Sequence, residues 1–350
     1  MRIRFPLVAS FFLAAGLLAT AAPASAQSDI LLRLRSGSPL GDRFRVDSAS
    51  GFVAKGVLGI GIIPFTGAGE RLMWHPNKAA FRAGSIGSAG TQWDDPNTGY
   101  YTWAGGYNTI ALGLASFAMG YQSTALNSYA TALGYTANAD GTGAVALGYR
   151  VTADADYSVA IGQRASTNGH AGAIVLSDGS TTDSTQASAN NQFTVRAAGG
   201  IRLFTNATMT TGVQVAAGGS SWAVISDRNR KENFLAVDGE DLLTRIRKVP
   251  VMTWRLKSEE DETVRHIGPM AQDWHAAFPL NDDSTRINMS DFDGVNLAAS
   301  QALEQRTSTM QKRITTLETE NAELRARLDQ LEKIVQRMLP EDPKAAAHQK

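Results

Sequence analysis

At 350 residues the chain has room for two or three domains. Lys+Arg and Asp+Glu are both 33, so no global field favours nucleic acid or an anionic membrane. The absence of cysteine excludes disulfides, and five scattered histidines speak against a structural zinc site, so neither a metal nor a cofactor is expected.

Residues 1–26 read as an export signal. Arg2 and Arg4 form a basic start, Leu7 to Leu18 an apolar core, and Ala24-Ser25-Ala26 a small-residue cleavage site. The mature chain is expected to begin near Gln27 and to be secreted, periplasmic or surface-exposed, with no membrane anchor. Residues 27–100 alternate short apolar runs with turn signals and read as β-structure. The run Arg71-Leu72-Met73-Trp74, for example, is followed by a turn at Pro76-Asn77.

From 101 to 180 the chain repeats. Ala104, Ala118, Ala132, Ala146 and Ala160 stand 14 apart, each with a glycine two residues on, and a half-step copy places Ala111, Ala125, Ala139 and Ala153 between them. Tyr107, Tyr121, Tyr135 and Tyr149 keep the same beat. A fixed period marks a solenoid, with small alanines inside and glycines expected at tight corners. The rival heptad fails, because every window carries glycine and β-branched or aromatic residues. This pattern resembles the head of YadA-like trimeric autotransporter adhesins. The resemblance implies a left-handed parallel β-roll that trimerises, with a cell-surface glycan or protein as candidate ligand. Those adhesins end in a membrane barrel, whereas this chain ends Ala345-Ala346-Ala347-His348-Gln349-Lys350.

A β connector over 181–222 leads to the polar run Ser226-Asp227-Arg228-Asn229-Arg230-Lys231. A serine is a nucleophile only when something takes its proton, and a lysine can take it only when neutral. Behind this run, Asp241 to Lys248 reads as an amphipathic helix stopped before Pro250, and Val251 to Leu256 as a strand. His266 to Trp274 then turns from strand into helix. The order Ser226-Asp227 with Lys231 and Asn233, Ile267-Gly268 with Ala271-Gln272, then Asp291-Phe292-Asp293-Gly294-Val295 before a final helix, is similar to the self-cleaving intramolecular chaperone of endosialidase tailspikes, peptidase family S-74. The resemblance implies a domain over 223–299 that trimerises, guides folding of the preceding fibre and cuts before its serine. Ser226 would be the nucleophile, Lys231 the base and Ile225–Ser226 the scissile bond. Burial and the flanking Arg228 and Arg230 are expected to favour a neutral Lys231 amine. Many members carry arginine three positions after the serine, where this chain has Asn229.

From 300 to 339 the period is heptad. Leu303, Met310, Leu317, Leu324, Leu331 and Met338 fall at d, and Thr307, Ile314, Asn321, Leu328 and Val335 at a. The g–e′ pairs Arg313–Glu318, Glu320–Arg325 and Arg327–Glu332 all match in sign, which favours a parallel in-register homo-oligomer. Asn321 at a suits two strands, and both resemblances imply three; three is the expected number. Residues 340–350 read as a disordered tail.

The expected fold is therefore a mainly β fibre of trimeric β-roll repeats, followed by a small α/β chaperone domain and a C-terminal coiled coil. The expected function is a homotrimeric fibre whose C-terminal domain acts as a trimerisation chaperone and single-turnover Ser-Lys autopeptidase. The alternative is a non-enzymatic adhesin stalk with an inactive dyad. Action on polysaccharide is disfavoured, since Asp140, Asp154 and Asp156 sit at variable repeat positions without forming a recognisable carboxylate pair.

Overall fold

The computed structural model describes residues 30–36, 41–48 and 51–338. The expected export signal and the tail after Pro340 lie outside the described residues. The chain forms two compact units: residues up to Arg202 together with Val215–Ser221, and Leu203–Gln214 together with the chain from Trp222 onward. Among the described residues no helix is long and apolar enough to cross a membrane.

The first unit opens with a three-stranded antiparallel sheet, Ile30–Ser36, Gly41–Asp47 and Gly51–Ala54. An exposed loop then leads to the hairpin Gly69–His75/Ala80–Ile86, turned by a 3-10 segment at Pro76–Lys78. The strand Ala80–Ile86 pairs in parallel with Trp103–Tyr107, and from there the chain winds as a β-solenoid of two parallel sheets. The larger sheet stacks Phe117–Tyr121, Thr131–Tyr135, Val145–Tyr149, Val159–Gln163, Ile174–Ser177 and Phe193–Arg196 in sequence order. The smaller stacks two-residue strands such as Thr124–Ala125 and Asn138–Ala139.

Register follows the repeat residue for residue: Ala132 lies on Ala146, Gly134 on Gly148 and Tyr135 on Tyr149. The alanines of both columns are completely buried, at 0 % exposure from Ala104 to Ala160 and from Ala111 to Ala153. Two further columns complete the interior, Thr102-Ser116-Ala130-Ala144-Ser158 and Thr109-Ser123-Ala137-Val151. Every inward position is thus small, because the bore is only about one inter-sheet spacing wide, roughly 10 Å. The tyrosines stack on the outer surface with ring centroids 4.9–5.0 Å apart, the spacing of the strands that carry them.

The glycine column differs from the expectation of tight corners. Gly106, Gly120, Gly134, Gly148 and Gly162 lie inside the strands with φ between +99° and +135°. A Cβ at Gly134 would stand 2.0 Å from the carbonyl oxygen of Gly148, so the close approach of successive coils demands glycine there. One set of corners belongs to left-handed non-glycine residues, Asn108, Gln122, Thr136, Arg150 and Arg164, with φ of 52–55°, and a second set on the same beat includes Gly143. Each is pinned to the coil before it, as where the Thr136 N–H donates to the Tyr121 carbonyl at 2.8 Å.

The open N-terminal end of the bore is plugged by a charged residue. Arg82 occupies the register position of the alanine column, opposite Ala104, and is fully buried. Its guanidinium donates to the carbonyls of Thr102 and Ala111 and to Thr102 Oγ1, while burial pulls its pKa down to about 10. Trp93 is fully buried as well and donates to the Thr109 carbonyl.

In the second unit, Val213 and Gln214 pair with Val224 and Ala223. Helix α1, Gly239–Ile246, begins two residues before the expected Asp241, because Asp238 caps it by accepting from the N–H groups of Glu240 and Asp241. The strands Met252–Trp254 and His266–Gly268 pair antiparallel, ahead of α2, Ala271–Ala277. Helix α3 runs from Met289 to Met338, 50 residues or about 75 Å. It therefore contains the Asp291–Val295 run expected to precede it. Phe292 in its first turns packs on Trp274 at 4.8 Å, and that contact with the module core extends the helix upstream of the heptads. Leu242, Leu243, Trp274, Phe278, Val295, Ala299 and Ala302 form this second core.

Candidate active site

The polar run forms a single tight turn. The strand Ala223–Val224 is followed by Ile225, whose N–H reaches the Gly212 carbonyl at 3.5 Å, and Ser226 stands two residues past the strand. Asp227 then caps a 3-10 turn, Arg228–Arg230, by accepting from the Asn229 N–H at 2.9 Å. Because the turn closes with Lys231 N–H on the Arg228 carbonyl, the lysine side chain folds back over it. Lys231 Nζ stands 2.6 Å from Ser226 Oγ.

The rest of the run is engaged around this contact. Arg230 donates to the Thr210 carbonyl at 2.9 Å, tying the turn to a loop 20 residues upstream. Arg228 lies over the Phe234 ring at 5.1 Å. Asn229, standing where the resembled family often has arginine, spends its side-chain amide on Asp227 Oδ1 at 3.2 Å. The burial expected around Lys231 is corrected for the single chain. Ser226 and Lys231 are both exposed, and both guanidinium groups have partners elsewhere. The turn lies beyond the last strand of a small sheet, and among the described residues no layer covers it. The nearby apolar residues Trp222, Val224, Phe234, Leu235 and Val237 are exposed as well.

Other residues singled out in the sequence have structural partners. Trp103 packs edge-on between Phe81 and Phe117, and His170 faces Asn190. Asp156 accepts the Thr142 N–H, and Asp154 accepts from Thr167 Oγ1 and the Gly169 N–H. Asp140 and Asp154 occupy successive coils, and burial together with the Asp154 charge raises the Asp140 pKa above its ordinary value. Among the described residues no group of three or more His, Cys, Asp or Glu side chains could hold a metal. Sequence reasoning did not find the Arg82 plug or the Thr210 brace. The first becomes visible only when Arg82 is laid in register with the alanine column, and the second has no local signal.

Two family models match this chain, and they divide it as the geometry does. Four overlapping stretches, 104–126, 113–137, 127–150 and 139–165, match the YadA head domain repeat, all within the solenoid. Residues 226–281 match peptidase family S-74, described as chaperone of endosialidase, and this match begins on Ser226 itself. The chain therefore carries a YadA-like head followed by a chaperone-of-endosialidase-like domain. No curated protein and no solved structure matches it.

Proposed function

We propose that this chain is a secreted homotrimeric fibre protein whose C-terminal domain assembles the trimer and then severs itself from the head by cutting the Ile225–Ser226 bond. The observation that carries the reading is the 2.6 Å contact between Lys231 Nζ and Ser226 Oγ, at the end of a strand and at the first residue of the chaperone match. In the reacting state a neutral Lys231 amine takes the Ser226 hydroxyl proton as Oγ bonds to the Ile225 carbonyl carbon. The bond from that carbon to the Ser226 nitrogen breaks, and the nitrogen leaves with the proton handed on by Lys231. Water then hydrolyses the resulting ester, leaving an Ile225 carboxylate and a new N-terminus at Ser226 with its hydroxyl restored. Partner copies of the apolar, exposed flank around Phe234 and Leu235 would cover the turn, favour the neutral amine and make cutting a report of assembly.

A second reading, a stalk that assembles and never cuts, draws on the engagement of Asn229 with Asp227, which leaves the family's arginine position without a cation. Intact-mass spectrometry separates the two. The first reading expects fragments ending at Ile225 and beginning at Ser226. It further expects full-length, assembled Ser226→Ala, and at least a hundredfold slower cutting, on the order of a general base's contribution, in Lys231→Ala. Lys231→Arg should not rescue, since a guanidinium keeps its proton. Cleavage persisting in Ser226→Ala would falsify the dyad, and an uncut parent chain would leave only the stalk.

A further inference from the structure

One upstream loop holds the chain on both sides of the Ile225–Ser226 bond. Residues 205–211 lead into the strand Gly212–Val215, and Asn206 folds them around its own side chain. Its Oδ1 accepts from the N–H groups of Thr210 and Thr211 at 2.9 and 3.1 Å. Its Nδ2 donates to the hydroxyls of Thr208 and Thr210 at 3.0 and 2.6 Å. The Thr205 N–H closes the base of the loop on the Thr211 carbonyl at 3.0 Å. An asparagine that satisfies backbone N–H groups further along the chain fixes a loop's shape without a hydrophobic core. With its N–H and hydroxyl engaged inside the loop, Thr210 presents its carbonyl to Arg230 Nη1 at 2.9 Å. Two residues on, the Gly212 carbonyl accepts the Ile225 N–H at 3.5 Å.

Arg230 is tied to the serine and lysine by geometry as well as by sequence. Its N–H closes the 3-10 turn on the Asp227 carbonyl at 3.1 Å, and its Nε lies 3.7 Å from Asp227 Oδ2. Asp227 adjoins Ser226, and Lys231 follows Arg230 directly. Arg228 carries the same charge in the same turn, but its guanidinium lies over Phe234, on its own side of the bond. Of the two arginines, Arg230 is the one that reaches across it.

We infer that Arg230 is a positioning residue for the Ser226–Lys231 dyad and makes cutting conditional on a folded 205–211 loop; the inference rests on the cleavage reading above. Ser226 and Lys231 are both exposed, so the orientation of their turn depends on polar ties rather than on packing. A hydrogen bond from a guanidinium to a carbonyl is charge-assisted and therefore among the stronger of such ties. In a chain whose loop has not folded, the Thr210 acceptor is out of place and the turn is free to swing away from the Ile225 carbonyl. Folding of the loop within a chain and association between chains are then separate conditions on one reaction.

The rate at which the Ser226-initiated fragment appears, followed by intact-mass spectrometry during cell-free synthesis of the full chain, tests it. Arg230→Gln should slow cutting at least about tenfold. The slowing should be equal at every pH, so that the pH midpoint of the rate stays where the parent's lies. Arg228→Gln removes the same charge and should cut within about twofold of the parent. Arg230→Lys keeps one charged donor for a single carbonyl and should recover most of the rate. Asn206→Ala should slow cutting to a similar degree, and combined with Arg230→Gln it should be no slower than the slower single variant. In the Ser226→Ala background each variant should keep its oligomeric mass by light scattering, since Asn206 and Arg230 are exposed. Parent-like cutting by Arg230→Gln, equal slowing by Arg228→Gln, a shifted pH midpoint or multiplied slowing in the double variant would overturn the inference and leave the dyad standing. A lower oligomeric mass in Arg230→Gln would also overturn it, by assigning the residue to packing between copies. An uncut parent chain would remove the dyad and this role together.

Discussion

The two units solve the problem of burial in opposite ways. The solenoid closes its own interior: four columns of alanine, serine, threonine and valine are sealed within one chain, each coil resting on the next. The second unit leaves most of its apolar surface uncovered. Among the described residues seven form its buried core, while the heptad positions Met310, Ile314, Leu317, Leu324, Leu328, Leu331, Val335 and Met338 remain 45–79 % exposed. A single 50-residue helix with such a stripe is marginal in water, since helical stability in proteins comes chiefly from tertiary packing. The difference teaches where stability should reside: locally, between neighbouring coils, in the first unit, and between copies in the second.

The largest expected effect breaks the second half of that comparison. Leu317→Ala and Leu324→Ala each remove a d-position side chain, at about 2–5 kcal/mol per copy once it is buried in the assembly. Light scattering should show the double variant losing its oligomeric mass, while the solenoid keeps its own melting transition. An unchanged mass would mean that the coiled coil is dispensable for association.

Next in size is a break within the solenoid. Gly134→Ala places a Cβ against the Gly148 carbonyl oxygen in a backbone region that L-residues avoid. It should cost at least about 1–3 kcal/mol, by strain at a single position. Calorimetry should register this in the transition of the first unit alone, with the mass by light scattering unaltered. A variant that melts like the parent would contradict the close coil contact.

The same contrast explains what the sequence made legible. The Ala132-to-Ala146 and Tyr121-to-Tyr135 columns could be seen because one residue type recurs at each beat. The other two interior columns could not, because Thr102, Ser116, Ala130 and Ser158 satisfy the same small space with different chemistry. The corners at Asn108, Gln122, Thr136 and Arg150 were hidden for the same reason: inter-coil hydrogen bonds impose the left-handed backbone whatever the side chain. In the second unit the heptads were plain from Leu303 onward. The start of α3 at Met289 was not, since Gly294 and three nearby polar residues disguise a turn fixed by Phe292 on Trp274. For the candidate site, the Ser226–Lys231 spacing was visible, whereas the brace from Thr210 and the exposure of the turn depend on tertiary structure.

The smallest expected effect sharpens the first half of the comparison, because it lies in an interaction between coils that opposes folding. Asp140 and Asp154 sit one coil apart, and Asp140 Oδ1 is buried without a hydrogen-bond partner among the described residues. Burial first, and the Asp154 charge second, raise the Asp140 pKa. In the unfolded chain this carboxyl ionises near its ordinary value of about 3.9, whereas the folded coil holds its proton to higher pH. Over that interval the native state binds more protons, so stability falls as pH rises from the unfolded pKa through the raised folded one, and the penalty is complete at neutral pH. Asp140→Asn should therefore raise the melting temperature of the solenoid at pH 7, by a gain under about 1 kcal/mol because the group is partly solvated and screened. Near pH 3, where both states are largely protonated, the gain should vanish. Asp154→Ala should behave differently although it removes the same repulsion, since Asp154 Oδ1 also accepts from Thr167 Oγ1 and the Gly169 N–H, and losing that acceptor costs more than the relief returns. A pH-independent gain in Asp140→Asn would show that shape rather than charge is responsible, and a loss at pH 7 would show that the carboxylate is an acceptor for the coil after all.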